Sequence, residues 1–187
     1  EVKYARGYSY KVDEREELLK EALDLAKKAD AVIFVGGLKH TKEDFELFQN
    51  ALHSSKDEKE LINIDTEGND KTNMDLPYNQ NENTVVVMSS GSPVDMSEFA
   101  SEAKALIQTS YNGMEGGLAL AEVIFGDVNP SGKLAVTIPV KLEDSPAHSI
   151  GEFPGGKEVR YDEDVFVGYR HFATRNVKPL FAFGHGL

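Results

Sequence analysis

The most sharply patterned stretch of the chain runs over residues 111–139, YNGMEGGLALAEVIFGDVNPSGKLAVTIP. Met114, Leu118, Ala121 and Phe125 recur at helical spacing, which predicts a helix that buries this stripe. Gly126 follows the last apolar residue, where a left-handed C-cap is wanted. Asn129-Pro130-Ser131-Gly132 supplies turn chemistry, and the apolar, β-branched run 134–138 predicts a short strand.

Upstream, Val2 to Tyr4 alternates like a short strand. Asp13 with Glu16 reads as a capping box for a helix whose face is Leu18, Ala22, Leu25 and Ala29. The continuous apolar run 31–35, closed by Gly36-Gly37, predicts a strand buried on both faces of a parallel sheet. A second helix is expected from Thr41-x-x-Asp44 through Phe45, Phe48 and Leu52, interrupted at Ser54-Ser55 and continuing to Leu61-Ile62. Residues 63–83 are polar, rich in Asn and Asp, and read as a long loop; loops of such length are usually functional or disordered. Residues 84–88 and 105–109 predict two further buried strands, while 165–169 and 180–183 read as short strands or an extended return. Strand, helix, strand in this order predicts right-handed β-α-β units, hence an α/β fold with a mostly parallel sheet.

With 187 residues the chain is expected to form a single domain, residues 1–187, large enough for a substantial core. Its 32 acidic against 20 basic residues give a net charge of −12, which argues against a nucleic-acid partner. There is no cysteine, so disulfide and thiolate chemistry are excluded. No apolar run approaches the ~18 residues of a membrane span, so no membrane partner is expected. No signal peptide opens the chain, and the one sequon-like triplet, Asn129-Pro130-Ser131, is disqualified by its proline. Together these features lean towards a cytoplasmic location.

Several candidate chemistries fall away. Residues 127–132 imitate the start of an EF-hand loop, but Pro130 intrudes and Ile138 stands at the twelfth position. His40, His53, His148, His171 and His185 show no metal-ligand spacing, so no metal is expected. Ser89-Ser90-Gly91-Ser92 lacks the Gly-x-Ser-x-Gly elbow of serine hydrolases. Gly36-Gly37 leads into neither a P-loop nor a dinucleotide fingerprint, so no cofactor is expected.

Five stretches in order carry a family resemblance. They are Glu67-Gly68-Asn69-Asp70-Lys71 with Met74-Asp75-Leu76-Pro77, then Asn83-Thr84-Val85-Val86-Val87 with Ser90-Gly91-Ser92-Pro93-Val94. The third is Glu115-Gly116-Gly117 with Phe125-Gly126-Asp127-Val128-Asn129-Pro130-Ser131-Gly132-Lys133-Leu134. Phe166-Val167-Gly168-Tyr169-Arg170 and Pro179-Leu180-Phe181-Ala182-Phe183-Gly184-His185-Gly186-Leu187 complete the set. Together they resemble the C-terminal α/β domain of family 3 glycoside hydrolases, the β-glucosidase family. The resemblance implies a three-layer α/β/α sandwich, without the first strand and helix that precede this point in members. It also implies that members continue past Leu187, so that the chain looks like a trimmed part of a larger protein.

Glycoside hydrolysis needs two carboxyl groups flanking the scissile bond, roughly 5–5.5 Å apart in a retaining enzyme. In members of this type the nucleophile is an Asp on a separate (β/α)8 barrel, and the acid/base is a Glu on a long loop of the α/β domain. The resemblance therefore implies Glu67 as the acid/base, with Asp70 and Lys71 binding substrate, and Asp70 either touching a sugar hydroxyl or ordering the loop. Lys71 stands where Arg is common, keeping the charge but losing the planar fork. The chain also departs from the pattern in its helix: Glu60-Leu61-Ile62 precedes the loop instead of following Leu76-Pro77-Tyr78-Asn79-Gln80. The implied partners are the barrel domain of the same enzyme and a carbohydrate substrate. Against this stands a second reading, a non-catalytic structural or engineered α/β module in which Glu67 is one solvated carboxylate among 32 acidic residues.

Overall fold

A computed structural model of the chain describes residues 2–6, 12–37, 81–94, 96–97, 99–151, 157–158 and 160–187. The expected helix over 43–62 and residues 63–80 of the expected loop lie outside them. The chain divides into two compact units, one of Glu1–Met88 with Phe99–Ile107 and one of Ser89–Glu98 with Gln108–Leu187.

The first unit holds helix α1 (Val12–Ala26) and nearly all of a parallel sheet. Its strands are β1 (Val32–Gly37), β2 (Thr84–Ser89) and β3 (Ala105–Gln108), in the order β1-β2-β3. Helices and parallel strands along one chain make this an α/β fold, as the sequence pattern predicts. β2 is the central strand, and its Val86 and Val87 are fully buried, on opposite faces of the pleat. β1 differs from expectation. Ile33 and Val35 are 47% and 53% exposed. Alternate side chains of a strand point to opposite faces, and at this sheet edge the described residues leave one face uncovered.

α1 begins at Val12, so Asp13 lies inside its first turn, with Glu14, rather than at the cap before it. Both carboxylates still face the positive end of the helix dipole, where negative charge is favourable. The helix stops at Ala26, and Val2 to Tyr4 form no strand but an exposed segment.

The second unit is built on helix α2 (Gly116–Phe125), short helix α3 (Pro146–Ser149) and helix α4 (Tyr169–Arg175). Gly126 closes α2 with φ +85° and donates its N–H to the carbonyls of Glu122 and Val123. That left-handed conformation is the one the sequence placed there, and it favours glycine. The predicted stripe is not buried: Met114, two residues before α2, is 99% exposed, and Leu118 and Phe125 on the helix are 59% and 72% exposed.

Residues 134–138 do not form a ladder strand. Ile138 makes a single antiparallel bridge to Phe181, and Leu134 exchanges hydrogen bonds with His185 and Gly184. Pro139 has no N–H to continue the pairing. The run 165–169 also departs from a strand. Gly168 at φ +55° turns the chain out of extended geometry and caps α4. Asn176, at φ +56°, ends that helix by donating its N–H to the Phe172 carbonyl. After Ile138 a 3₁₀ turn (Leu142–Asp144) precedes α3, whose first residue is Pro146.

Candidate functional site

Glu67, Asp70 and Lys71 all fall in residues 38–80 and lie outside the described residues. What the structure does define is the point where the chain re-enters the sheet. Asn81 donates its side-chain amide to the carbonyls of Ala26, at 3.1 Å, and Ala29, at 2.7 Å. Its Oδ1 accepts the Asn83 N–H at 2.9 Å, and its carbonyl accepts the Thr84 hydroxyl at 2.6 Å. Asn83 adds a side-chain bond to the Asp30 carbonyl at 3.3 Å. Carbonyls at a helix C-terminus lack intrahelical partners; here Asn81 adds a donor to the Ala26 carbonyl, which the Ala29 N–H also reaches at 3.3 Å, and to the Ala29 carbonyl beyond the helix. Val32 N–H donating to the Asn83 carbonyl at 3.1 Å then opens the pairing of β1 with β2.

In the second unit, polar side chains gather where the chain leaves β2 and β3, from Ser89 to Ser92 and from Gln108 to Ser110. Gln108 donates its side-chain amide to both the carbonyl and the hydroxyl of Ser90, each at 3.1 Å. Ser90 is 1% exposed and donates its hydroxyl to the Ser92 carbonyl at 2.8 Å. Ser89 donates to the Ser110 carbonyl at 3.1 Å. Tyr111 lies over Gly91 so closely that a Cβ there would come within 2.4 Å of its ring. The arrangement is a brace. Ser90 is buried and its hydroxyl is engaged by an amide and a carbonyl, and among the described residues no base is hydrogen-bonded to it, so it is not set up as a nucleophile. Sequence reading missed Gln108, which carries no motif and meets Ser90 from 18 residues away.

The described histidines are held in structural settings. Ser145 Oγ lies 2.6 Å from His148 Nδ1, and His185 packs against Phe181 with ring centroids 5.2 Å apart. His171 is buried edge-on to Phe172, and its Nε2 has no hydrogen-bond partner among the described residues. Among the described residues no group of three or more His, Asp or Glu is placed to hold a metal, and no helix is long and apolar enough to cross a membrane. An apolar recess of about 280 Å³ opens in the second unit between Tyr169, Phe172, Val177, Pro179 and Phe183, with Thr137 on its wall.

The model of the glycosyl hydrolase family 3 C-terminal domain matches residues 2–169 of the chain. A protein of Aspergillus niger named probable beta-glucosidase I is 41% identical over 184 residues, covering 92% of this chain and 20% of its own length. Thermostable beta-glucosidase B of Acetivibrio thermocellus is 39% identical over 196 residues, covering 98% of this chain and 23% of its own. Among solved structures, a GH3 beta-glucosidase of Bifidobacterium adolescentis superposes with a TM-score of 0.71 at 35% identity, over 100% of this chain and 26% of that one. The chain thus spans about a fifth of the length of the curated relatives it matches.

Proposed function

The chain belongs to glycoside hydrolase family 3, whose C-terminal domain it matches, and on that footing we propose that it is the acid/base-bearing domain of a retaining β-glucosidase. Glu67 is the general acid/base. Its carboxylic acid protonates the glycosidic oxygen while an Asp on a (β/α)8 barrel, elsewhere in the enzyme, attacks the anomeric carbon. The Glu67 carboxylate then takes a proton from the water that releases the sugar from that Asp. Asp70 and Lys71 contact the carbohydrate, and residues 1–187 serve as one domain against the barrel.

The observation that carries this reading is the breadth of the match. It runs across residues 2–169, so it includes positions 67–71, and its relatives at about 40% identity are named as β-glucosidases. That these relatives are roughly five times longer fits a division of labour between domains.

The test is turnover of a chromogenic aryl β-glucoside by the chain alone and by the chain joined to a family 3 barrel. The chain alone is expected to be inactive, and the joined protein active. Glu67→Ala should abolish that activity, and azide should restore turnover of the activated substrate by attacking the glycosyl-enzyme directly, releasing the Asp as a glycosyl azide forms, a step that needs no general base. An unchanged rate in Glu67→Ala would overturn the assignment. Failure of any barrel to confer activity would favour the non-catalytic module.

A further inference from the structure

Asn112-Gly113 is the sole Asn-Gly pair in the 187-residue sequence, and its surroundings leave it chemically open. Both residues are exposed and belong to no helix or strand. The Asn112 side chain makes no hydrogen bond among the described residues, and the Gly113 N–H donates none to the backbone, although its carbonyl accepts the Gly116 N–H at 3.0 Å. A Cβ built on Gly113 would meet nothing within 4 Å. Among the described residues no hydrogen bond ties down either the Asn112 carboxamide or the Gly113 nitrogen, the two groups that would react.

We propose that Asn112 is a site of spontaneous covalent modification, by cyclisation onto the Gly113 nitrogen and loss of ammonia. The deprotonated backbone nitrogen attacks Cγ. The C–N bond to the side-chain amide breaks, and ammonia leaves with the proton that the backbone nitrogen gave up. Water then opens the five-membered imide at either carbonyl, giving aspartate or isoaspartate at position 112. No oxidant or other reactant is needed. Glycine matters at 113 because any Cβ would crowd the attacking nitrogen, and its backbone freedom lets the ring form.

The consequence falls on α2. The new carboxylate adds one negative charge to a chain at −12, just ahead of a helix N-terminus. Isoaspartate also adds a methylene to the backbone where the Asn112 side chain lies against Gly116 and the Gly116 N–H meets the Gly113 carbonyl. The aspartate product is tolerated there, whereas the isoaspartate product disturbs the first turn.

The experiment incubates the folded chain at mildly alkaline pH. It follows the mass gained when an amide NH₂ becomes OH, locates that gain by peptide mapping, and detects isoaspartate with an isoaspartyl methyltransferase. Modification is expected at Asn112, faster as pH rises. It should be many-fold slower in Gly113→Ala, whose added methyl meets no neighbour, and lost from position 112 in Asn112→Gln. A free Tyr-Asn-Gly-Met-Glu peptide under the same conditions provides the reference. If that peptide deamidates while residue 112 of the folded chain does not, the fold protects the pair and the proposal is wrong. A mass gain that persists at the same rate in both variants would overturn it equally.

Discussion

Asn81 holds the Ala29 carbonyl at 2.7 Å across 52 residues of sequence, and this contact ties the start of β2 to the end of α1. The same amide reaches the Ala26 carbonyl at 3.1 Å, which also accepts the Ala29 N–H at 3.3 Å, so one side chain engages the last helical carbonyl and one three residues beyond it. Asn81→Ala should therefore cost about 1–2 kcal/mol of stability. Asn81→Asp should cost more, by roughly 0.3–1 kcal/mol, because it sets a negative charge against carbonyls at the negative end of the helix. Denaturant melts of the three proteins check the order; an Asp variant as stable as wild type would sink the argument.

Two adjacent glycines at the start of α2 should respond with opposite signs. A Cβ on Gly116 would sit 2.4 Å from Asn112 Cβ, an atom fixed to the backbone that cannot swing aside. Gly116→Ala is expected to destabilise by about 1–3 kcal/mol, overriding the ~1 kcal/mol by which alanine normally improves a helix. At Gly117 a Cβ meets nothing within 4 Å, so Gly117→Ala should gain up to about 1 kcal/mol. Thermal melts of the pair decide the matter, since propensity alone predicts the same sign for both.

Thr137 is 8% exposed, and its Oγ1 has no hydrogen-bond partner among the described residues. A buried hydroxyl left unmade carries a desolvation penalty of about 1–3 kcal/mol. Valine keeps the shape and removes the penalty, so Thr137→Val is expected to stabilise the chain by roughly 1 kcal/mol. Thr137→Ala, which also gives up the methyl, should fall below Thr137→Val. Equal loss in both variants would mean that the hydroxyl is satisfied in solution.

The readable parts of this fold are those where a local rule suffices. Short apolar runs, β-branched in β1 and β2, mark the three strands, and Gly126 marks the end of α2 because few other residues accept its backbone. The misread parts are those where a single distant or special residue decides. Val165-Phe166-Val167 looks like a strand until Gly168 turns the chain, and residues 134–138 have the composition of a strand but one bridge, halted by Pro139. Neither the Asn81 anchor nor the Gln108–Ser90 brace leaves a periodic or motif signature, because each joins residues far apart in sequence. Glu67, Asp70 and Lys71 are proposed through an ordered motif set alone and lie outside the described residues; an isolated glutamate beside a glycine has no period to mark it.

The stripe on α2 separates helical periodicity from burial. Met114, Leu118 and Phe125 recur as a core-facing set would, yet they are 99%, 59% and 72% exposed. A surface substitution away from buried features usually changes stability by no more than about 0.5 kcal/mol. Met114→Lys, Leu118→Lys and Phe125→Lys, made singly in this chain, should therefore each leave the melting midpoint nearly unchanged. Lysine also has good helix propensity, so Leu118→Lys costs little in the helix itself. Burying such side chains would instead contribute about 1.5–3 kcal/mol each, and a charge placed on a covered stripe would forfeit that and add a desolvation cost. The two cases differ several-fold, well beyond the error of a denaturant titration. A loss of that size whose magnitude depends on protein concentration would mean that copies of the chain cover the stripe. A concentration-independent loss would mean that the chain itself folds over it.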